Sequence, residues 1–130
     1  SAERIARARV QRKRLGGGMR QGGVLAAAAL YALDHNLDRL AEDHASARAF
    51  AEQVGLVSPQ AIDPEQVATN IVVLGTGARP AAELVAAARA QGVGLNAVGP
   101  HVVRAVTHLD ADTDACRAAG RIVGELMAQG

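Results

Sequence analysis

Tryptophan is absent from this chain, and tyrosine and phenylalanine occur once each. A core with so few aromatic rings has to be assembled from alanine, valine, leucine and isoleucine, so its elements must approach closely. Cys116 is the single cysteine. That excludes an internal disulfide and any site built from several cysteine ligands, and it fits a reducing compartment. Lysine is as scarce, since Lys13 is the only one. Any chemistry that needs a lysine amine within this chain therefore rests on that residue. No apolar run approaches the roughly 20 residues of a membrane-spanning helix. The basic opening has a mitochondrial look, but Glu3 and the direct run into GGGMRQ argue against cleavage there. The net charge of +1 offers no bulk attraction to nucleic acid or to a membrane surface. The expectation is a cytoplasmic protein without membrane or nucleic-acid partners.

What is present is distributed unevenly. Arg4, Arg7, Arg9, Arg12, Lys13, Arg14 and Arg20 crowd the first twenty positions, and Gly16-Gly17-Gly18 separate most of them from the Ala-rich run VLAAAALYAL. Glycine suits sharp turns and close approach to a ligand. An amide-rich loop opening a helix is an anion site, because its free N–H groups and the helix dipole act together. The run is thus either a phosphate or carboxylate cradle flanked by Lys13 and Arg20, or a Gly-rich helix–helix turn beside a solvated basic face. It is neither a Walker A loop, since Met19-Arg20 follow the glycines, nor a dinucleotide fingerprint, since no strand precedes it. A nucleic-acid arm over residues 4–20 would lack aromatic stacking partners.

Composition and period predict helices over residues 2–14, with Ser1 as a cap, and over 21–35, with Asn36 as a kink or cap. A third helix is expected over 37–54, with Leu37, Leu40, Ala41, His44, Ala47, Ala51 and Val54 on its apolar side, Asp38, Glu42 and Asp43 on its wet side, and Gly55 as its end. His44 is expected to be a structural histidine. Pro59 and Pro64 mark a loop at 56–66, with a short strand near Leu56-Val57. Strands are expected at 69–74, at Val93–Asn96 and at His101–Thr107. A helix that starts beside Pro80 and stops at Gly92 lies between the first two, and a last helix runs from Asp112 or Thr113. The fold class is α+β, a small mostly antiparallel sheet covered by helices. It divides into a helical part at 1–55, with the GGGMR turn and a long connecting helix, and a compact α+β part at 56–130.

Arg104 stands out in the second half. Strand alternation puts it on a face shared with Val102 and Val106, where a charge is costly unless paired. It is either in an internal ion pair, or snorkelling from a sheet edge, or holding an anionic ligand. Asp110, Asp112 and Asp114 have the opening spacing of a calcium loop, but Ala115 replaces its glycine and Arg121 its final acid, so they are better read as helix caps. His101 and His108 fall on opposite strand faces, and no metal site is expected. Thr69-Asn70 and Thr107-His108 fit strand-end hydrogen bonding, and Cys116 fits a small core residue.

The runs LGGGMRQGGVLAAAALYAL and LDRLAEDHASARAFAE, then VATNIVVL at 67–74 and VVRAVTHLD at 102–110, together resemble the L-threonine aldolases in that family's order. These are pyridoxal-phosphate lyases of the aspartate-aminotransferase-like fold. The resemblance implies the C-terminal domain of a fold-type-I enzyme that cleaves L-threonine or allo-threonine to glycine and acetaldehyde. It implies that Arg104 holds the substrate's α-carboxylate and that Arg20 and Lys13 contact the cofactor. It also implies a homo-oligomer, a dimer or tetramer. The family's Schiff-base lysine lies in a Ser-Lys-Gly type motif that this chain lacks, so no catalytic residue is assigned here and the chain alone is expected to be inactive. The alternative is a non-catalytic α+β module that binds a small anion or a partner protein.

Overall fold

The computed structural model describes residues 1–129. They fall into two compact units, Ser1–Leu37 and a second that begins at Asp38.

The first unit is a pair of helices, α1 (Ala2–Arg14) and α2 (Gly22–His35). Ser1 caps α1 by accepting the Arg4 N–H at 3.4 Å. Glu3 in the first turn and Arg12, Lys13 and Arg14 in the last complement the helix dipole. Two of the three glycines close α1. The Gly17 N–H donates to the Arg12 carbonyl at 2.8 Å and the Gly16 N–H to the Lys13 carbonyl at 3.2 Å, with Gly16 at φ 75°. This is a Schellman cap, and its left-handed residue favours glycine. Asn36 ends α2 by donating its N–H to the Ala32 carbonyl. Neither helix buries a residue, and Leu25, Leu30, Tyr31 and Leu33 all stand exposed.

The second unit contains α3 (Leu40–Val57), a 3-10 turn at Pro64–Gln66, β1 (Ile71–Gly75), α4 (Ala81–Ala90), β2 (Asn96–Gly99), β3 (Val102–Val106) and α5 (Thr113–Ala128). The sheet is antiparallel in the order β1-β3-β2. Val72 and Leu74 of β1 and Val103 and Ala105 of β3 point inward. They meet Phe50 and Val54 of α3, Leu84 and Ala88 of α4, and Val123 of α5. α5 packs against α3 through Gly120 and Gly124. The structure is thus the α+β arrangement expected, with every strand pair antiparallel and helices on one face of the sheet.

Several details differ from the sequence reading. α3 does not end at Gly55 but continues to Val57, so Leu56-Val57 are helical and form no strand; Ser58 closes it with an N–H bond to the Val54 carbonyl. Its buried face is also rotated. Asp43 is buried while His44, Leu37 and Leu40 are exposed. Asp43 tolerates burial because Arg39 reaches its carboxylate at 3.1 Å, and charge pairing offsets the lost hydration. The expected strand at Val93–Asn96 lies further along, at Asn96–Gly99, with a register shift between Ala97 and Gly99. Val93 and Leu95 lead into it and are buried. α3 belongs to the compact unit that holds the sheet, because Ala47, Phe50, Ala51 and Val54 form part of the core there.

Candidate functional site

The helices cover one face of the sheet and leave the other open. Val103 and Ala105 of β3, and Thr107 just after it, point toward the core, so Val102, Arg104 and Val106 occupy the open side. β1 adds Ile71, Val73 and Gly75 to that side, with Ile71 paired to Val106, Val73 to Arg104 and Gly75 to Val102. Ile71 is 45% exposed and Val73 52%. The open face is therefore an apolar surface with one cation in its middle.

Arg104 is half-buried on this surface. Its Nε is shielded from solvent and has no hydrogen-bond partner. Among the described residues the arginine ion pairs are Arg39 with Glu42 and Asp43 and Arg48 with Glu65, so none involves Arg104. A shielded N–H donor without an acceptor is a standing cost to the fold. A carboxylate satisfies it, since guanidinium and carboxylate match through two parallel hydrogen bonds.

The strand that carries Arg104 is pinned at both ends. At one end the Thr107 N–H donates to the Asn70 carbonyl at 2.9 Å, and Asn70 Nδ2 returns a bond to the Thr107 carbonyl at 2.9 Å. Thr107 Oγ1 also donates to the Asp43 carbonyl at 2.7 Å, tying β3 to α3. At the other end the Thr76 N–H donates to the His101 carbonyl at 2.9 Å. Asn70 and Thr107 thus do the strand-end bonding expected of them. His101 Nδ1 sits 3.1 Å from the Arg79 carbonyl, and His108 lies beside Asp110. Asp112 caps α5 through the Ala115 N–H at 2.8 Å. Cys116 is buried against the core, and burial first, then the nearby Asp112 carboxylate, pushes its thiol pKa up.

Lys13 and Arg20 lie in the other compact unit, on either side of the glycine turn, and both are exposed. The Lys13 stem runs alongside Gly18: a Cβ built there would come 3.9 Å from Lys13 Cδ. The amides of Gly16 and Gly17 are consumed by the cap of α1 and do not face a ligand. An anion bound at this turn has to be held by the two side chains, with the Gly18 amide and the first turn of α2, where Gln21 provides no side-chain cap. What sequence reasoning missed is Asn96. It sits directly across from Arg104 on β2, and a strand-disfavoured residue type there is the signal that could have found it.

Beta-eliminating lyases match this chain over residues 1–76, more than half of it, and the chain belongs to that family. It is 43% identical over 106 residues to the low specificity L-threonine aldolase of Escherichia coli (strain K12), which covers 82% of this chain and 30% of that protein. It is 48% identical over 68 residues to a probable low-specificity L-threonine aldolase of Arabidopsis thaliana, covering 52% and 19% of the two chains. A probable low-specificity L-threonine aldolase of Schizosaccharomyces pombe is 41% identical over 70 residues, covering 54% and 18%. The match to the Escherichia coli relative spans about a third of that protein's length, 30% of it.

Pyridoxal phosphate is the cofactor this family implies, and the described residues do not form a site for it on their own. A Schiff-base amine has to be held in an enclosed setting that lowers its pKa or places it beside a base. Lys13 is instead solvent-exposed in a helical turn between Arg12 and Arg14. What these residues do fit is an anionic group, at Arg104.

Proposed function

We propose that this chain is the C-terminal portion of a pyridoxal-phosphate-dependent L-threonine aldolase, in which Arg104 holds the α-carboxylate of the amino-acid substrate. The observation that carries this is the shielded Arg104 Nε, without an acceptor and without an ion-paired acid, on the open face of the sheet. A bidentate pair fixes the plane and direction of the carboxylate, and hence of the Cα to which it is attached. The strand is anchored through Thr107 and Asn70, which fixes the backbone from which the guanidinium reaches. Ile71, Val73 and Val106 keep the surroundings apolar, which strengthens the charge pairing.

The reaction assigned to the whole enzyme is retro-aldol cleavage of L-threonine or allo-threonine to glycine and acetaldehyde. Arg20 and Lys13 act there as cationic contacts for the cofactor, through their side chains. The cofactor's lysine is assigned outside these residues, whose one lysine is Lys13, and the isolated 130 residues are expected to be inactive. The enzyme is a homo-oligomer, which fits the exposed Leu25, Leu30 and Tyr31 of α2.

The test uses the purified chain with pyridoxal phosphate and L-threonine. The expected result is no acetaldehyde and, after borohydride reduction, no stoichiometric adduct at Lys13 by mass spectrometry. Turnover, or stoichiometric labelling of Lys13, contradicts the assignment of the cofactor lysine to another part of the enzyme.

A further inference from the structure

We propose that Asn96 is the second donor of the Arg104 site. Its side-chain amide binds the same carboxylate as the guanidinium and makes the site selective for an anion with two acceptor oxygens. The inference rests on the reading of Arg104 as a carboxylate site and extends it to a residue on a different strand.

The placement follows from register. Asn96 of β2 and Val73 of β1 are both direct Cα partners of Arg104, one on each side of β3. Directly opposed residues of an antiparallel pair share a face, with Cβ atoms about 4.5–5.5 Å apart. Asn96 therefore rises from the open face beside Arg104, ahead of the register shift between Ala97 and Gly99. Its side chain is exposed and takes part in none of the side-chain hydrogen bonds of the described residues that anchor Asn70, Thr107 or Asp63. Asparagine is depleted in strands, and the equivalent place on the other side of Arg104 is a valine. Asn96 opens β2 and is already paired with Arg104 there.

The residue type also fits. An aspartate in this place would pair with Arg104 permanently and occupy the guanidinium. A valine would leave the carboxylate to the guanidinium alone. A neutral amide avoids both outcomes: Nδ2–H donates to the ligand while Oδ1 accepts from the guanidinium. The site then has an amide on its β2 side and Val73 on its β1 side, so a bound amino acid has its carboxylate drawn toward Asn96 and its other substituents over Val73. Asn96 and Val106 also line an open crevice of about 510 Å³ with Arg89 and His108 but not with Arg104, so solvent reaches Asn96.

The test is an acetate titration of the isotope-labelled chain, read by backbone amide shifts, with methyl acetate as the neutral control. In the unsubstituted chain the Asn96 side-chain NH2 resonances shift with acetate and not with methyl acetate or sodium chloride. Asn96→Ala weakens acetate binding roughly tenfold, the size expected for one hydrogen bond to a charged group. Asn96→Asp, nearly the same size, abolishes binding by pairing with Arg104. Arg104→Ala abolishes it as well. If Arg104→Ala loses binding while Asn96→Ala and Asn96→Asp both retain it, the role of Asn96 is overturned and the Arg104 site stands. If Arg104→Ala leaves acetate affinity unchanged, the carboxylate site itself is overturned and the role of Asn96 falls with it.

Discussion

Arg104 on β3 stands directly across from Val73 on β1. A guanidinium thus shares its surface with a β-branched hydrocarbon where a carboxylate would have stabilised it. Neighbouring chain offers no compensation, since Nε is shielded and unpartnered. Such an arrangement favours ligand binding over stability.

The first prediction is that replacing this charge stabilises the unit. Arg104→Val removes an unsatisfied donor and adds a good strand residue. Thermal unfolding is expected to rise by about 4–8 °C, corresponding to about 1 kcal/mol in a unit of this size. Carboxylate binding is lost in the same variant. A fall in melting temperature would show that Arg104 is held by contacts that serve the fold.

The packing of α5 on α3 predicts a steep difference between two glycines. A Cβ at Gly120 would come 2.5 Å from the Phe50 carbonyl oxygen and 2.8 Å from Gln53 Cβ, whereas at Gly124 the nearest atom is Val57 Cβ at 3.1 Å. The first clash is with backbone, which cannot move aside without separating the helices. Gly120→Ala is expected to destabilise by about 3 kcal/mol and Gly124→Ala by about 1 kcal/mol or less. Equal midpoints for the two variants in urea unfolding would contradict this account of the interface.

Cys116 predicts a pH dependence on the alkaline side. Burial raises its thiol pKa above the ordinary 9.0, so above that pH the folded state binds more protons than the unfolded chain. Its contribution to stability is complete below pH 9.0 and declines as pH rises through the folded-state value. Cys116→Ala should therefore flatten the fall in melting temperature above pH 9.0. Thiol reagents should react slowly with the folded chain and quickly once it is unfolded in urea. An unchanged alkaline slope in Cys116→Ala would assign the fall to other groups.

The exposed apolar side chains of α2 predict self-association. Light scattering of the chain should show a mass that rises with concentration, and Leu30→Lys, at a position 61% exposed, should lower that mass without loss of helicity by circular dichroism. A monomer at every concentration would contradict the assembly role of this helix.

Much of the fold was legible because its signals are local. Ser1, Asn36, Pro80, Gly92 and Asp112 mark helix ends at or next to where they fall, and alternation alone placed Arg104 opposite the core-facing Val103 and Ala105. The misreadings share a cause in tertiary contacts. The face of α3 could not be taken from hydrophobicity, because Asp43 is brought inside by its pairing with Arg39. Gly55 sits inside α3, beside Pro64, and a mid-helix glycine looks like a terminator when its neighbour in space is unknown. The glycine run was ambiguous between an anion cradle and a helix–helix turn, and the bonds from Gly16 and Gly17 back to Lys13 and Arg12 show two of its amides closing α1. The residue type at Asn96 was a signal, but its register with Arg104 is not encoded in the sequence of β2 by itself.

The most direct test of the central claim is the Arg104 Nε–H resonance in a nitrogen-15 spectrum during addition of acetate or glycine. A donor with no acceptor should resonate outside the hydrogen-bonded range and shift toward it as carboxylate is added, saturating with either ligand. Methyl acetate should leave it in place. A resonance already hydrogen-bonded without ligand, or one that ignores carboxylate, would mean that Arg104 serves the structure and that the open face of this sheet is not a substrate site.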